Sequence, residues 1–268
     1  VKVEQKAMIA TRKKGQTMTR TLLVTGATSG FGRACAELFA ARGWRLVLTG
    51  RRGDRLAELQ RQLAPAEVYT ASFDVRRRDE VEAMYAALPE GFRDIDVLLN
   101  NAGLALGLAA AHETDLDQWE TMVDTNIKGL LYMTRRFLPD MVRRRRGHIV
   151  NIGSVAGSWP YPGGNTYGAT KAFVQQFSRN LRADVHGTGV RVTNIEPGLA
   201  ESEFSLVRFD GDSDKAAKVY EGTEPLTPAD IAEIVLWTVE RPAHVNINCV
   251  EVMPTCQSWA SLAVARKS

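Results

Sequence analysis

Thr21-Leu-Leu-Val-Thr-Gly-Ala-Thr-Ser-Gly-Phe-Gly32 is the stretch that decides the fold. Its first five residues form a short aliphatic run that reads as a buried strand and breaks directly into glycines. A helical pattern follows over 33–42, apolar at Ala36, Phe39 and Ala40. A glycine-rich turn between strand and helix lets backbone amides approach a diphosphate, and the helix N-terminus adds favourable partial charge. The turn therefore reads as a dinucleotide site built from Gly26, Thr28, Ser29, Gly30, Phe31 and Gly32, with a purely structural turn as the alternative. Its spacing, Gly-x-x-x-Gly-x-Gly, differs from the generic Gly-x-Gly-x-x-Gly fingerprint.

Outward from the turn, a strand over 45–49 reaches the place where a ribose-reading acid is expected, about twenty residues past the glycines. Gly50, Arg51 and Arg52 stand there instead. Paired guanidiniums suit a dianionic 2′-phosphate, which a carboxylate would repel, so NADP is favoured over NAD. Ser29 is placed to add a hydroxyl donor. The competing reading is two solvated arginines opening the next helix.

Helical patterns over 54–63 and 79–88 alternate with strands over 67–73 and 95–99. Such alternation is the signature of a parallel sheet with helices on both faces, so the fold class is α/β, a single Rossmann-type doubly wound sheet spanning 21–268. Asp74 and Val75 follow the third strand at the carboxyl edge where ligands bind, and Asn100-Asn-Ala-Gly103 follows the fourth.

One long helical pattern runs from Leu116 to Arg146 and contains Asn126. A polar residue there has two readings, a buried hydrogen-bonding group that ties backbone together or a relay member that holds water at a reacting centre. A strand over 148–153 then leads to Ser154, and a helix over 167–184 begins with Tyr167 and Lys171. Four residues apart, these two side chains share one helix face. A free tyrosine has a pKa of about 10, and a neighbouring ammonium is expected to lower it, making Tyr167 a proton acceptor beside the Ser154 hydroxyl. A surface contact is the plain alternative. After a strand over 190–195 come Pro197 and Gly198, then an irregular charged segment over 199–224, expected to be a mobile substrate lid. A helix over 228–240 capped by Thr227 and a strand over 246–252 close the chain.

Composition sets bounds on all this. The chain has 268 residues, enough for a large core, with 44% hydrophobic and 24% charged residues, which excludes bulk disorder. No run approaches the roughly 18 apolar residues of a membrane helix. A net charge of +3 does not argue for nucleic acid, and the run Arg143 to Arg146 reads as a solvated helix end. Cys35, Cys249 and Cys256 lack metal-ligand spacing and fit reduced cysteines in the cytoplasm; no metal is expected. Residues 1–20 read as a disordered basic extension without a signal peptide's apolar core, with Met18 a candidate natural start.

Taken together, Thr25-Gly-x-x-x-Gly-x-Gly32, Asn100-Asn-Ala-Gly103, Asn126, Ser154, Tyr167-x-x-x-Lys171 and Pro197-Gly198 resemble the short-chain dehydrogenases/reductases, over 21 to about 253. The resemblance implies that Tyr167 is the general acid–base and that Lys171 lowers its pKa and binds the nicotinamide ribose. It implies that Ser154 polarises the substrate oxygen and Asn126 holds a relay water. Asp74 would accept from the adenine amino group, and Asn100 would lie along the adenine ribose, with Val75, Ala102, Gly103, Pro197 and Gly198 also at the NADP site. It further implies a homotetramer acting on a small molecule, without nucleic acid or membrane partners.

Residues 195–199, Glu203-Phe-Ser205, Val207-Arg-Phe209 and 242–248 are similar to the branch of NADP-dependent 3-hydroxy acid dehydrogenases. Members of that branch act on serine, allo-threonine, 3-hydroxyisobutyrate or malonic semialdehyde. On that likeness Arg208 anchors a substrate carboxylate, together with Ser154 and Tyr167 at the reacting oxygen; a solvated lid arginine is the alternative. Residues 199–203 depart from the branch, being shorter and more acidic, and Glu201 and Glu203 would repel a carboxylate if they faced the pocket. A reductase for a neutral or larger carbonyl compound is therefore the second reading, and a non-catalytic nucleotide-binding protein the third.

Overall fold

Seven strands, β1 (Thr21–Thr25), β2 (Arg45–Gly50), β3 (Val68–Ser72), β4 (Val97–Asn100), β5 (Gly147–Ile152), β6 (Val190–Pro197) and β7 (Cys249–Val252), form one sheet in the order β3-β2-β1-β4-β5-β6-β7. Every neighbouring pair is parallel. The computed structural model describes residues 19–259, so residues 1–18 of the expected extension lie outside it. Arg20, assigned to that extension, instead packs its guanidinium 4.1 Å from the Trp44 ring centroid and accepts from the Arg45 amide through its carbonyl.

Strand side chains alternate between faces, and that period of two builds two cores. Leu22, Val24, Leu46 and Leu48 meet Phe39 of α1 (Gly30–Ala41), Leu56 of α2 (Gly53–Gln62) and Ile231 of α9 (Pro228–Val239) on one side. Leu23, Val47, Leu98 and Ile149 meet Met84 of α3 (Arg78–Ala87), Phe137 of α5 (Leu130–Arg144) and Leu181 of α6 (Asn165–Asp184) on the other. The near-continuous apolar runs of the central strands follow from burial on both faces.

The long helical pattern is interrupted. α4 (Leu116–Val123) gives way to a π-helical turn, Asp124–Gly129, before α5 begins. Within the turn Asn126 bonds out of the helix, donating to the Leu104 carbonyl (2.8 Å) and the Thr170 hydroxyl (3.0 Å) and accepting from the Leu104 amide (2.9 Å). These bonds tie the turn to a neighbouring loop and to α6, and such single-turn π-bulges recur at functional sites. β7 is also shorter than expected. Asn246 replaces part of its ladder, because its side chain accepts from the Val192 amide and donates to the Val192 carbonyl, each at 2.8 Å.

The expected irregular segment 199–224 holds two short helices, α7 (Glu203–Arg208) and α8 (Ser213–Lys218), tied back by an Ala200–Leu226 bridge. Thr227 caps α9 as expected, in a reciprocal capping box with Asp230.

Candidate active site

At β1 the connection reverses: β2 and β3 lie to one side of it and β4 to β7 to the other. A crevice opens beyond the carboxyl ends of the strands at such a switch point. The turn after β1 enters it with Gly26 at φ 69°, and α1 begins at Gly30 rather than at 33. A Cβ on Gly32 would overlap the Gly26 carbonyl and the Asn101 amide, so only glycine lets the helix start pack against its own turn.

The crevice brings together Gly26, Thr28, Ser29, Gly30 and Phe31 from this turn, Arg51 and Arg52 after β2, and Asp74 and Val75 after β3. Ala102 and Gly103 line it after β4, Ser154 after β5, Tyr167 and Lys171 from α6, and Pro197 and Gly198 at the end of β6. Gly32, Asn100, Asn126 and Arg208 are not among its lining. Asn100 donates from its side chain to Thr134 (3.0 Å) and Asn151 (2.9 Å) beneath the sheet edge. Its parity along β4 is that of Leu98, whose face packs on α5. Its neighbour Asn101 turns to the crevice and donates to the Thr25 carbonyl (2.9 Å) and the Gly26 carbonyl (3.1 Å). Strand alternation alone would have separated the two asparagines.

The proton-handling groups are buried. Tyr167 is 9% and Lys171 6% exposed. Burial pushes the Tyr167 phenol up to about 12, although Ser154 beside it and the Arg208 charge pull the other way. Burial likewise pulls the Lys171 ammonium down to about 8. Ser154 and Arg208, rather than Lys171, are the groups that pull the Tyr167 phenol down in this arrangement. The Lys171 ammonium donates to the Ile152 carbonyl (2.8 Å), lies 5.7 Å from the Tyr167 ring centroid, and suffers the same desolvation. Ser154 accepts from the Ala156 amide (3.1 Å) and donates to the Pro197 carbonyl (3.4 Å), which fixes the hydroxyl at the end of β5. A Cβ on Gly103 would lie 3.3 Å from Asn126 Oδ1 and 3.6 Å from Lys171 Nζ, so the π-turn and α6 converge on one spot.

The charged rim divides into two. On one side Arg52 donates to Thr28 (2.7 and 3.1 Å) and Ser29 (3.0 Å), while Asp74 accepts from Arg76 at 2.6, 2.9 and 3.0 Å. Burial opposes ionisation of Asp74, yet those bonds and the Arg76 charge hold its carboxyl below the usual range. On the other side Arg208 lies 5.3 Å from the ring centroids of both Tyr167 and Phe204, and donates to the Tyr161 hydroxyl at 2.8 Å. Its Nε is buried without a hydrogen-bond partner.

The short chain dehydrogenase profile matches residues 20–210. The chain belongs to the short-chain dehydrogenase family. This dehydrogenase is 61% identical over 246 residues to the NADP-dependent 3-hydroxy acid dehydrogenase YdfG of Salmonella typhi, covering 91% of this chain and 99% of the relative. It is 53% identical to sulfoacetaldehyde reductase 2 of Chromohalobacter salexigens over 93% of this chain and 100% of that protein. The closed form of serine dehydrogenase complexed with NADP+ superposes with a TM-score of 0.91 at 57% identity, over 92% of this chain and all of that one.

Three polar residues that line this short-chain dehydrogenase site were not singled out from the sequence: Asn101 was passed over for its neighbour, Thr125 lies in the π-turn, and Ser202 precedes α7. Glu203, expected to repel a carboxylate if it faced the pocket, reaches the crevice from α7. Glu203 does not face the substrate end. It pairs with Arg52 and Arg55, so the feared repulsion of a carboxylate at Arg208 does not arise from it.

Proposed function

We propose that this chain is an NADP-dependent dehydrogenase of small 3-hydroxy acids, working reversibly with their semialdehydes. The observation that carries the reading is Arg208. Its guanidinium has an unpartnered buried Nε and stands over Tyr167, where it pairs with a carboxylate while the hydroxyl of the same small molecule reaches the Tyr167 phenol. The relatives named above support the substrate class.

The residues fit the coenzyme. The glycine turn has no side chain to fill the space beside its amides, and Arg51 and Arg52 supply cationic charge at the edge where a 2′-phosphate sits. Thr28, Ser29, Gly30 and Phe31 cradle the diphosphate, with Asp74 and Val75 at the adenine and Pro197 and Gly198 at the nicotinamide. Bound there, the coenzyme supplies or accepts the hydride at the carbon that bears the reacting oxygen.

The chain's own groups handle the proton and the charge. With its pKa raised, Tyr167 is protonated at neutral pH and donates to the carbonyl oxygen during reduction. In oxidation it takes the hydroxyl proton, which a rising pH favours. Ser154 donates to the same oxygen, and Lys171, still largely charged below pH 8, favours the phenolate as it forms. Asn126, which ties the π-turn to Leu104 and Thr170, would hold the water that passes the proton onward. The segment 199–224 is the lid that brings Phe204 and Arg208 over this centre.

A second reading is an anionic sulfonate substrate, since the same guanidinium accepts either head group and one relative is a sulfoacetaldehyde reductase. A neutral carbonyl substrate leaves Arg208 without a role. For assembly and location we propose a cytoplasmic homotetramer, supported by the family and by the half-buried Phe173–Phe177 stack on α6. Light scattering on the purified chain tests the assembly. Among the described residues no helix is long and apolar enough to cross a membrane and no metal-ligating cluster occurs.

Coenzyme reduction with L-serine, 3-hydroxyisobutyrate, 3-hydroxypropionate and isethionate, against neutral secondary alcohols, tests the function. Turnover of the hydroxy acids with NADP upholds it. Turnover of isethionate alone selects the sulfonate reading, and turnover of neutral alcohols alone rejects both.

A further inference from the structure

α7 crosses the crevice with one end at the glycine turn and the other near Tyr167. Its cap, Ser202, accepts from the Phe204 amide at 3.3 Å, and a Cβ on Gly30 would lie 3.4 Å from Ser202 Cβ, so the helix starts against the head of α1. Phe204 packs 5.5 Å from the Tyr167 ring, and at the far end the Arg208 carbonyl accepts from the Gly107 amide at 3.0 Å. At the near end one carboxylate oxygen of Glu203 accepts from Arg55 at 2.9 Å, and the other accepts from both Arg52 and Arg55 at 3.1 Å. Among the described residues these are the only ion pairs joining 199–224 to the body of the fold. Burial opposes ionisation of Glu203, but the hydrogen bonds and charges of the two arginines hold its carboxyl below the usual range.

We infer that Glu203 is a positioning residue for the substrate anchor: its clasp on Arg52 and Arg55 seats α7 across the coenzyme crevice and so sets where Arg208 stands. This rests on the reading of Arg208 as the carboxylate anchor. A helix of six residues is about 9 Å long and moves as one piece, so a tether at its first residue steers the side chain at its last. The clasp holds with the coenzyme bound. Arg52 engages four of its five N–H groups with Glu203, Thr28 and Ser29. Arg51, which lines the crevice and makes no ion pair among the described residues, is left to meet a 2′-phosphate beside the remaining N–H of Arg52. Arg55 is not part of the crevice lining. It reaches the substrate end only through Glu203.

The test compares the full chain with Glu203→Gln, Arg55→Gln and the double variant, all with saturating NADP. Steady-state kinetics on 3-hydroxypropionate and its neutral amide give the preference for the acid, and amide hydrogen exchange follows α7. In each single variant the preference for the acid falls by roughly two- to fivefold, the size of a half-exposed charge pair, through a higher KM for the acid. Exchange in α7 speeds in both. The double variant falls short of the product of the two single losses, because both act on one contact. In Arg55→Gln kcat/KM for the amide stays at the wild-type value. Faster α7 exchange with an unchanged preference would reduce the clasp to a stabilising contact and overturn the positioning role. Unchanged exchange and unchanged preference overturn it too, and both outcomes leave the Arg208 reading standing. A wild type without preference for the acid overturns that reading and this inference with it.

Discussion

Arg208 lies 5.3 Å from the centroid of the Tyr167 ring, which places the one arginine of segment 199–224 over the side chain that handles the proton. That geometry sets a size limit on the substrate as well as a charge requirement. Carboxylate and reacting oxygen belong to one small molecule held between the two residues.

Arg208→Met removes the charge but retains most of the apolar stem. The KM for a 3-hydroxy acid is expected to rise about ten- to a hundredfold, from the roughly 1.5–3 kcal/mol of a charged hydrogen bond, while slow turnover of a neutral alcohol is unaffected. Steady-state kinetics on both substrates check this, and equal losses on both would remove the anchor role.

Tyr167→Phe keeps the ring against Phe204, 5.5 Å away, and deletes the hydroxyl. Turnover is expected to fall by about 10²–10⁴-fold, the range for a general acid–base, with NADPH affinity unchanged by fluorescence titration.

Lys171 gives a pH signature. In the folded chain burial lowers its pKa to about 8 from the ordinary lysine value of 10.5. Between those values the unfolded chain binds more protons, so stability rises with pH, by about 3 kcal/mol across the full interval. Tyr167, raised to about 12, works in the opposite sense above pH 10. Thermal unfolding of wild type and Lys171→Met between pH 8 and 10 is expected to show the wild type gaining on the variant. Parallel curves would mean that Lys171 is not desolvated.

Arg52→Gln should loosen NADPH by about tenfold or more and leave NADH within about twofold, as expected for loss of a charge-assisted phosphate contact. The variant also releases Thr28 and Ser29 from their bonds to the guanidinium, so a modest loss of thermal stability accompanies it.

Much of the site was legible because its signals are local. A strand breaking into glycines at Gly26, or Tyr167 and Lys171 one helical turn apart, needs only short-range geometry to interpret. What escaped depends on position within the assembled fold. The π-turn at Asn126 inserts extra backbone into a helix without disturbing the apolar rhythm on either side, so one continuous helix was expected. Asn100 and Asn101 differ only in strand parity, which a register fixes and composition does not. The raised pKa of Tyr167 follows from burial that no spacing of charges reveals. Glu203 looked like an acid at the substrate end because its partners, Arg52 and Arg55, are remote in sequence.

The central claim is that a carboxylate held by Arg208 presents the neighbouring carbinol to Tyr167. Its most direct test is kcat/KM with saturating NADP for 3-hydroxypropionate against its neutral amide, a pair that differs in charge and little in size. A preference for the acid of about tenfold or more, abolished in Arg208→Met, is the predicted result. Equal values for acid and amide in the wild type would contradict the account.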